Sequence, residues 1–126
     1  MEIPKGHQSV MPYLMLNNAT GFIDFTGKVF GAIVINEVKR DDQTTYMHAE
    51  VEISGSTIMF CDASDDWPPV PASLFVYVEN ADHSYESALA NGAVSIMGLS
   101  DQNYGRTCGV TDPFGNTWWI TSVAAG

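Results

Sequence analysis

The sequence predicts an α+β fold of two tandem βαβββ modules, with curved mixed sheets and helices on their outer faces. Two observations carry that expectation. Apolar residues change period along the chain, from alternating to helical and back, in the order strand, helix, strand, strand, strand. The same order then repeats after an offset of 60 to 62 residues. Gly55-Ser56-Thr57-Ile58-Met59 matches Gly115-Asn116-Thr117-Trp118-Trp119 at 60. Gly31-Ala32-Ile33-Val34-Ile35 matches Gly92-Ala93-Val94-Ser95-Ile96 at 61, and Leu14-Met15-Leu16-Asn17-Asn18-Ala19 matches Val76-Tyr77-Val78-Glu79-Asn80-Ala81 at 62. A drift of one or two residues is what insertions in loops leave.

Residues 1–8 read as a loose lead-in. From Ser9 to Asn17, Val10, Pro12, Leu14 and Leu16 alternate with Met11, Tyr13 and Met15, a strand whose two faces are both apolar and both in need of cover. Asn18 is placed to cap a helix in which Ala19, Phe22, Ile23, Thr26, Val29 and Phe30 keep helical spacing until Gly31 ends it. Gly21 and Gly27 weaken that helix, so it must be held by packing. Ile33 to Arg40 reads as a strand and 41–43 as a turn. In the strand from Thr44 to Ile53, Ala49, Val51 and Ile53 share one face and His48, Glu50 and Glu52 the other. Ser54-Gly55-Ser56 turns the chain into a strand from Thr57 to Asp62, with Ile58 and Phe60 toward the helix and Met59 and Cys61 away from it. The proline-rich stretch 64–71 reads as a stiff, extended connection.

Module two repeats the plan. A strand runs from Ala72 to Glu79, and Asn80 or Asp82 caps a helix bearing Ala81, Tyr85, Ala88 and Leu89 that stops at Gly92. A strand from Ala93 to Leu99, a loop at 100–105 and a strand from Arg106 to Thr111 follow. Pro113 and Gly115 then reverse the chain into an aromatic-rich strand from Trp118 to Val123.

At 126 residues the chain has the length of one domain, with module one at about 9–63 and module two at about 71–124. A formal charge of −10 opposes binding to nucleic acid or to anionic lipid. With no long apolar run and no basic-then-apolar start, neither a membrane span nor a signal peptide is expected, and the reading is cytoplasmic. Cys61 and Cys108 fall within strands and read as buried thiols. There is no Gly-rich phosphate loop, serine nucleophile elbow or HExxH.

The paired modules, the Met11-Pro12-Tyr13-Leu14 strand, Met47-His48-Ala49-Glu50 in mid-module, and Asp112-Pro113-Phe114-Gly115 followed by Trp118 together resemble the vicinal oxygen chelate superfamily. Within it the chain is most similar to the PhnB-like, glyoxalase/bleomycin-resistance type, over about Ser9 to Val123. The superfamily holds lyases, dioxygenases, antibiotic-modifying enzymes and drug-sequestering proteins, so the resemblance says more about fold than about activity. Its metal-dependent members take four His, Glu or Gln ligands from the first and last strands of each module. The matching positions here hold Met11, Met59, Ser73 and Trp119, none a ligand for a hard or borderline divalent ion, so no metal and no cofactor are expected.

Met11, Tyr13, Met15, Met59, Phe75, Tyr77 and Trp119 share the parity of those positions. They either line a pocket suited to a flat apolar ligand or fill a collapsed core. His48 and Glu50, two apart on one strand face, have acid/base geometry, with an exposed surface pair as the alternative. Arg106 reads as lying at a pocket mouth, where it would meet a ligand carboxylate, Glu50 or a surface acid, while His7 and His83 read as solvated. The function expected is metal-free binding of a small aromatic or amphipathic molecule, cationic ones included. The alternative is a glyoxalase- or dioxygenase-like lyase or isomerase, metal-dependent or using His48 and Glu50. Apolar concave faces need cover, so a homodimer with a pocket shared between modules is expected.

Overall fold

Asn18 and Gly31 delimit the first helix as their chemistry requires. The Asn18 side chain accepts the Gly21 N–H at 2.8 Å, and Gly31, at φ 68°, sends its own N–H back to Gly27 while Ala32 bonds Thr26. The structure, a computed structural model, describes residues 1–124. Module one comprises β1 (Tyr13–Leu16), α1 (Ala19–Phe30), β2 (Ile33–Lys39), β3 (Tyr46–Ile53) and β4 (Ser56–Asp62). Module two comprises β5 (Ser73–Tyr77), α2 (Ala81–Ala90), β6 (Val94–Gln102), β7 (Gly105–Thr111) and β8 (Thr117–Ser122).

The duplication is present strand for strand. One sheet has the order β1-β4-β3-β2 and the other β5-β8-β7-β6, and in each the first strand runs parallel to its neighbour while the rest are antiparallel. Tyr13 pairs with Met59 in the first, and Phe75 pairs with Trp119 in the second. The chain divides into two compact units at Pro71 and Ala72. Among the described residues no helix is long and apolar enough to cross a membrane.

In module one, α1 lies on β3 and β4. Phe22, Phe25 and Val29 are buried there, and the Phe22 ring meets Phe60 edge-on at 4.9 Å between centroids. Thr26, also buried, donates its hydroxyl to the Phe22 carbonyl at 2.8 Å, which removes the cost of a polar group in the core. The buried stripe includes Phe25, which the expected spacing omitted, while Ile23 and Phe30 are only half-buried. Ala49, Val51 and Ile53 face the core as their alternation predicts. Ser54 and Gly55 both take positive φ, 47° and 87°, as a two-residue hairpin turn between twisted strands demands.

Four expectations need correction. β1 is shorter than the run from Ser9, because Pro12 has no N–H for the ladder; only its carbonyl joins, accepting from Met59 at 2.9 Å. The lead-in is not loose: Gln8 Nε2 donates to the Thr57 carbonyl at 2.9 Å, and Thr57 Oγ1 donates to the Gly6 carbonyl. The expected loop at 100–105 is largely ladder, with Ser100 opposite Thr107 and Gln102 opposite Gly105, since polar residues on an exposed edge strand read like a loop. In α2 the buried face is Ala81, Ser84 and Ala88, which turns the next residue, Leu89, outward to 38 % exposure. The proline-rich connection, for its part, is pinned back on β1, where Val70 N–H donates to the Met15 carbonyl at 2.9 Å.

Candidate functional site

Alternation along β3 sends His48 and Glu50 to the sheet face opposite α1, where a chain of four side chains assembles. Glu50 is only 4 % exposed. Its Oε2 lies 2.7 Å from His48 Nε2 and its Oε1 2.7 Å from His7 Nε2. The other ring nitrogen of His48, Nδ1, is 3.1 Å from the Tyr13 hydroxyl, with the two rings tilted at 5.5 Å between centroids. The surface-pair alternative therefore fails for Glu50. The expectation of a solvated His7 is also corrected, because the ordered lead-in brings its ring onto a carboxylate 43 residues away. Nothing in the sequence signals that contact, since the lead-in has no period.

Burial alone would raise the Glu50 carboxyl, but the hydrogen bonds from His48 and His7 outweigh it and hold the group below the usual glutamate value. A depressed carboxyl contributes stability that is complete above its ordinary value and is lost as pH falls through the folded one. In thermal melts the advantage of the wild type over Glu50→Gln should shrink steadily in acid, whereas a constant gap down through the carboxylate range would show that the charge contributes nothing.

Tyr13 and Met15, both expected in a pocket wall, line a cavity of about 580 Å³ in module one together with Arg40, Met47, Cys61 and Trp67. Arg40 donates Nη2 to the Asp62 carbonyl at 2.7 Å. Burial pushes both the Tyr13 hydroxyl and the Cys61 thiol up, so each keeps its proton at neutral pH. Sequence reasoning missed Arg40 and Trp67, which lie outside the strands, and Met47, whose parity is that of Ala49 but which falls at an irregularity in the β2–β3 ladder. Met11 and Met59 are not among the lining residues. Met11 takes the Gln8 N–H on sulfur at 3.3 Å, and half-buried Met59 lies on β4 between Tyr13 and Glu50.

In module two, Phe75 and Tyr77 stand edge to face at 5.2 Å on β5 and are 51 % and 63 % exposed. Trp119, on the neighbouring β8, donates its indole N–H to Ser73 Oγ at 3.1 Å. Its ring lies over Gly109, where an added Cβ would come within 2.5 Å of the indole, so the absent side chain makes room for the ring. Phe75 and Tyr77 thus stand open on their strand, with half-buried Trp119 on the next. Arg106 lines an open groove of about 750 Å³ with Glu79 and Asp101. Its guanidinium donates Nε and Nη2 to Asp82 and Nη1 to Asp101, and these contacts raise it above the ordinary arginine value, so the surface-acid alternative holds.

The four positions that carry metal in the resembled superfamily hold two thioethers, a hydroxyl and an indole, and Ser73 and Trp119 bond to each other. That donor set does not fit a divalent ion. Among the described residues, no three His, Cys, Asp or Glu side chains converge to hold one.

The profile of the Glyoxalase/Bleomycin resistance protein/Dioxygenase superfamily matches residues 11–120. The chain belongs to this superfamily. An uncharacterized protein of Mycobacterium bovis is 30 % identical over 125 residues, covering 87 % of this chain and 80 % of its own. Among solved structures, a PhnB protein of Bacillus cereus, described as a putative 3-demethylubiquinone-9 3-methyltransferase, matches at TM-score 0.75 with 20 % identity, over 92 % of this chain and all (100 %) of its own. TnmS3, an antibiotic binding protein of a Streptomyces species, matches at TM-score 0.70 with 15 % identity, over 94 % and 100 %. At such identities the structural matches establish the shared fold. For a superfamily member with this donor set, the chemistry on offer is that of the Tyr13, His48, Glu50 and His7 chain and of the aromatic surfaces.

Proposed function

We propose that this chain is a metal-free member of the superfamily that binds a small aromatic or amphipathic molecule and works as a homodimer. The observation that carries this reading is the cavity in module one, walled by Tyr13, Met15, Met47 and Trp67, polarizable and aromatic side chains that suit a flat ligand. The adjacent exposed rings of Phe75 and Tyr77 support it, since a contiguous exposed apolar patch marks a place for a ligand or a second copy. The antibiotic-binding description of TnmS3 is consistent with it. A library of metabolites and antibiotics, screened by thermal shift and tryptophan fluorescence, tests the reading. A ligand at 100 times its dissociation constant should add about 2.7 kcal/mol of stability, and Trp67→Ala and Met47→Ala, on the cavity wall, should weaken the hit. A library without a single stabilising compound would sink it.

A second reading, a lyase or isomerase that uses His48 and Glu50 as acid and base, is favoured by their 2.7 Å contact. His48→Ala separates the two: it abolishes turnover in an enzyme and only trims affinity in a binder.

A further inference from the structure

A carboxylate accepts hydrogen bonds and gives none. Both imidazole Nε2 atoms that lie 2.7 Å from Glu50 therefore carry hydrogen. In a neutral ring this leaves His48 Nδ1 as a lone pair, so the Tyr13 hydroxyl 3.1 Å away is the donor of that contact. The Tyr13 oxygen then offers only lone pairs to the cavity whose wall it forms. A cavity lined by the rings of Tyr13 and Trp67 and the thioethers of Met15 and Met47, with Arg40, Ser64 and Asp66 among its polar groups and an acceptor oxygen on Tyr13, suits an aromatic body carrying a hydrogen-bond donor.

We propose that the module-one cavity takes a neutral aromatic molecule with an acidic, phenol-type hydroxyl and holds it as the oxyanion, its proton relayed through Tyr13 to His48. The inference deepens the binding function above and rests on it. In the relay the ligand O–H bond breaks and its proton goes to the Tyr13 oxygen, while the Tyr13 O–H bond breaks and its proton goes to His48 Nδ1. The products are a ligand oxyanion hydrogen-bonded to Tyr13 and a His48 imidazolium against the Glu50 carboxylate. No oxidant, reductant or further reactant is needed. Tyr13 touches the ligand; Glu50 and His7 position His48, much as a buried carboxylate holds an imidazole and stabilises its charged form in hydrolase triads. Arg40 and Asp66, of opposite charge, both line the cavity. The Cys61 thiol, held protonated by burial, adds no charge. A chain of formal charge −10 repels anions at a distance, so the neutral acid is the species that enters, and it ionises only inside.

The test uses 4-nitrophenol, whose phenolate absorbs visible light and whose neutral form does not, in buffer acidic enough that the free compound is mostly protonated. With the wild-type protein a phenolate band should grow with the bound fraction, and the apparent pKa of the bound phenol should fall by about one unit or more. Nitrobenzene, the same ring without the hydroxyl, should bind at least about tenfold more weakly, a gap of about 1.4 kcal/mol. Tyr13→Phe and His48→Gln, each checked for a cooperative melt, should still quench tryptophan fluorescence with nitrophenol but show no band. Where Glu50→Gln folds, it should keep binding while the apparent pKa of the bound phenol rises. Equal binding of nitrophenol and nitrobenzene with no band overturns the relay and leaves small-molecule binding standing. A band that survives His48→Gln overturns His48 as the proton acceptor. No binding of either probe, while library hits still bind, overturns the proposed ligand class; no binding of probes or library removes the function on which it rests.

Discussion

Asp112→Ala should destabilise the protein by on the order of 4 kcal/mol, a large share of the stability of an ordinary domain. The Asp112 carboxylate is 4 % exposed and accepts four hydrogen bonds. Backbone N–H groups of Phe114 and Asn116 reach Oδ1 at 2.9 Å each, and Asn116 Nδ2 and Trp118 Nε1 reach Oδ2 at 2.9 and 2.8 Å. The turn between β7 and β8 is thus wound around one carboxylate. Trp118, 1 % exposed, is fixed in the core by the same atom. Truncation strands all four donors, and three of them belong to buried residues that water reaches poorly. Urea unfolding followed by tryptophan fluorescence reads the loss directly. A midpoint shift worth less than about 1 kcal/mol would mean that water replaces the carboxylate without strain.

Asp62→Ala should cost on the order of 3 kcal/mol, by the same logic in module one. Asp62, at the end of β4, accepts the Ala19 N–H at 2.8 Å and the Tyr46 N–H at 2.7 Å, so one side chain joins the start of α1 to the start of β3. Module two makes the first of these contacts with a serine: Ser122 Oγ accepts the Ala81 N–H at 3.1 Å. Ser122→Ala should therefore cost only about 1 kcal/mol, being a single neutral contact. Calorimetric melts of the two variants check the ordering, and a larger loss for Ser122→Ala would contradict it.

The fold was legible because period and punctuation agree. Asn18 and Gly31 bound α1 to the residue, and the 60-residue echo between Gly55 and Gly115 reappears as the Tyr13–Met59 and Phe75–Trp119 strand pairs. Proline and glycine betrayed the Asp112 turn, but the carboxylate at its centre was not visible, since its role depends on an indole six residues on folding back toward it. The site was legible only where alternation reached. Parity placed His48 and Glu50 on one face and Tyr13 and Met15 on the wall. His7 and Trp67 come from segments without a period, and tertiary packing alone brings them in. Of the partners open to Arg106, surface acids are the ones it meets, Asp82 and Asp101, and no spacing in the sequence singles them out.

Metal-independent binding is the centre of this account, and calorimetry on chelator-treated protein addresses it most directly. The best compound from the library is titrated into the protein before and after exhaustive dialysis against a strong chelator, with metal content followed by elemental analysis. The account predicts the same affinity in both samples, and a loss of at least about tenfold, about 1.4 kcal/mol, in Tyr13→Phe. Affinity that disappears on chelation and returns with one equivalent of zinc, manganese, nickel or iron per chain would contradict it.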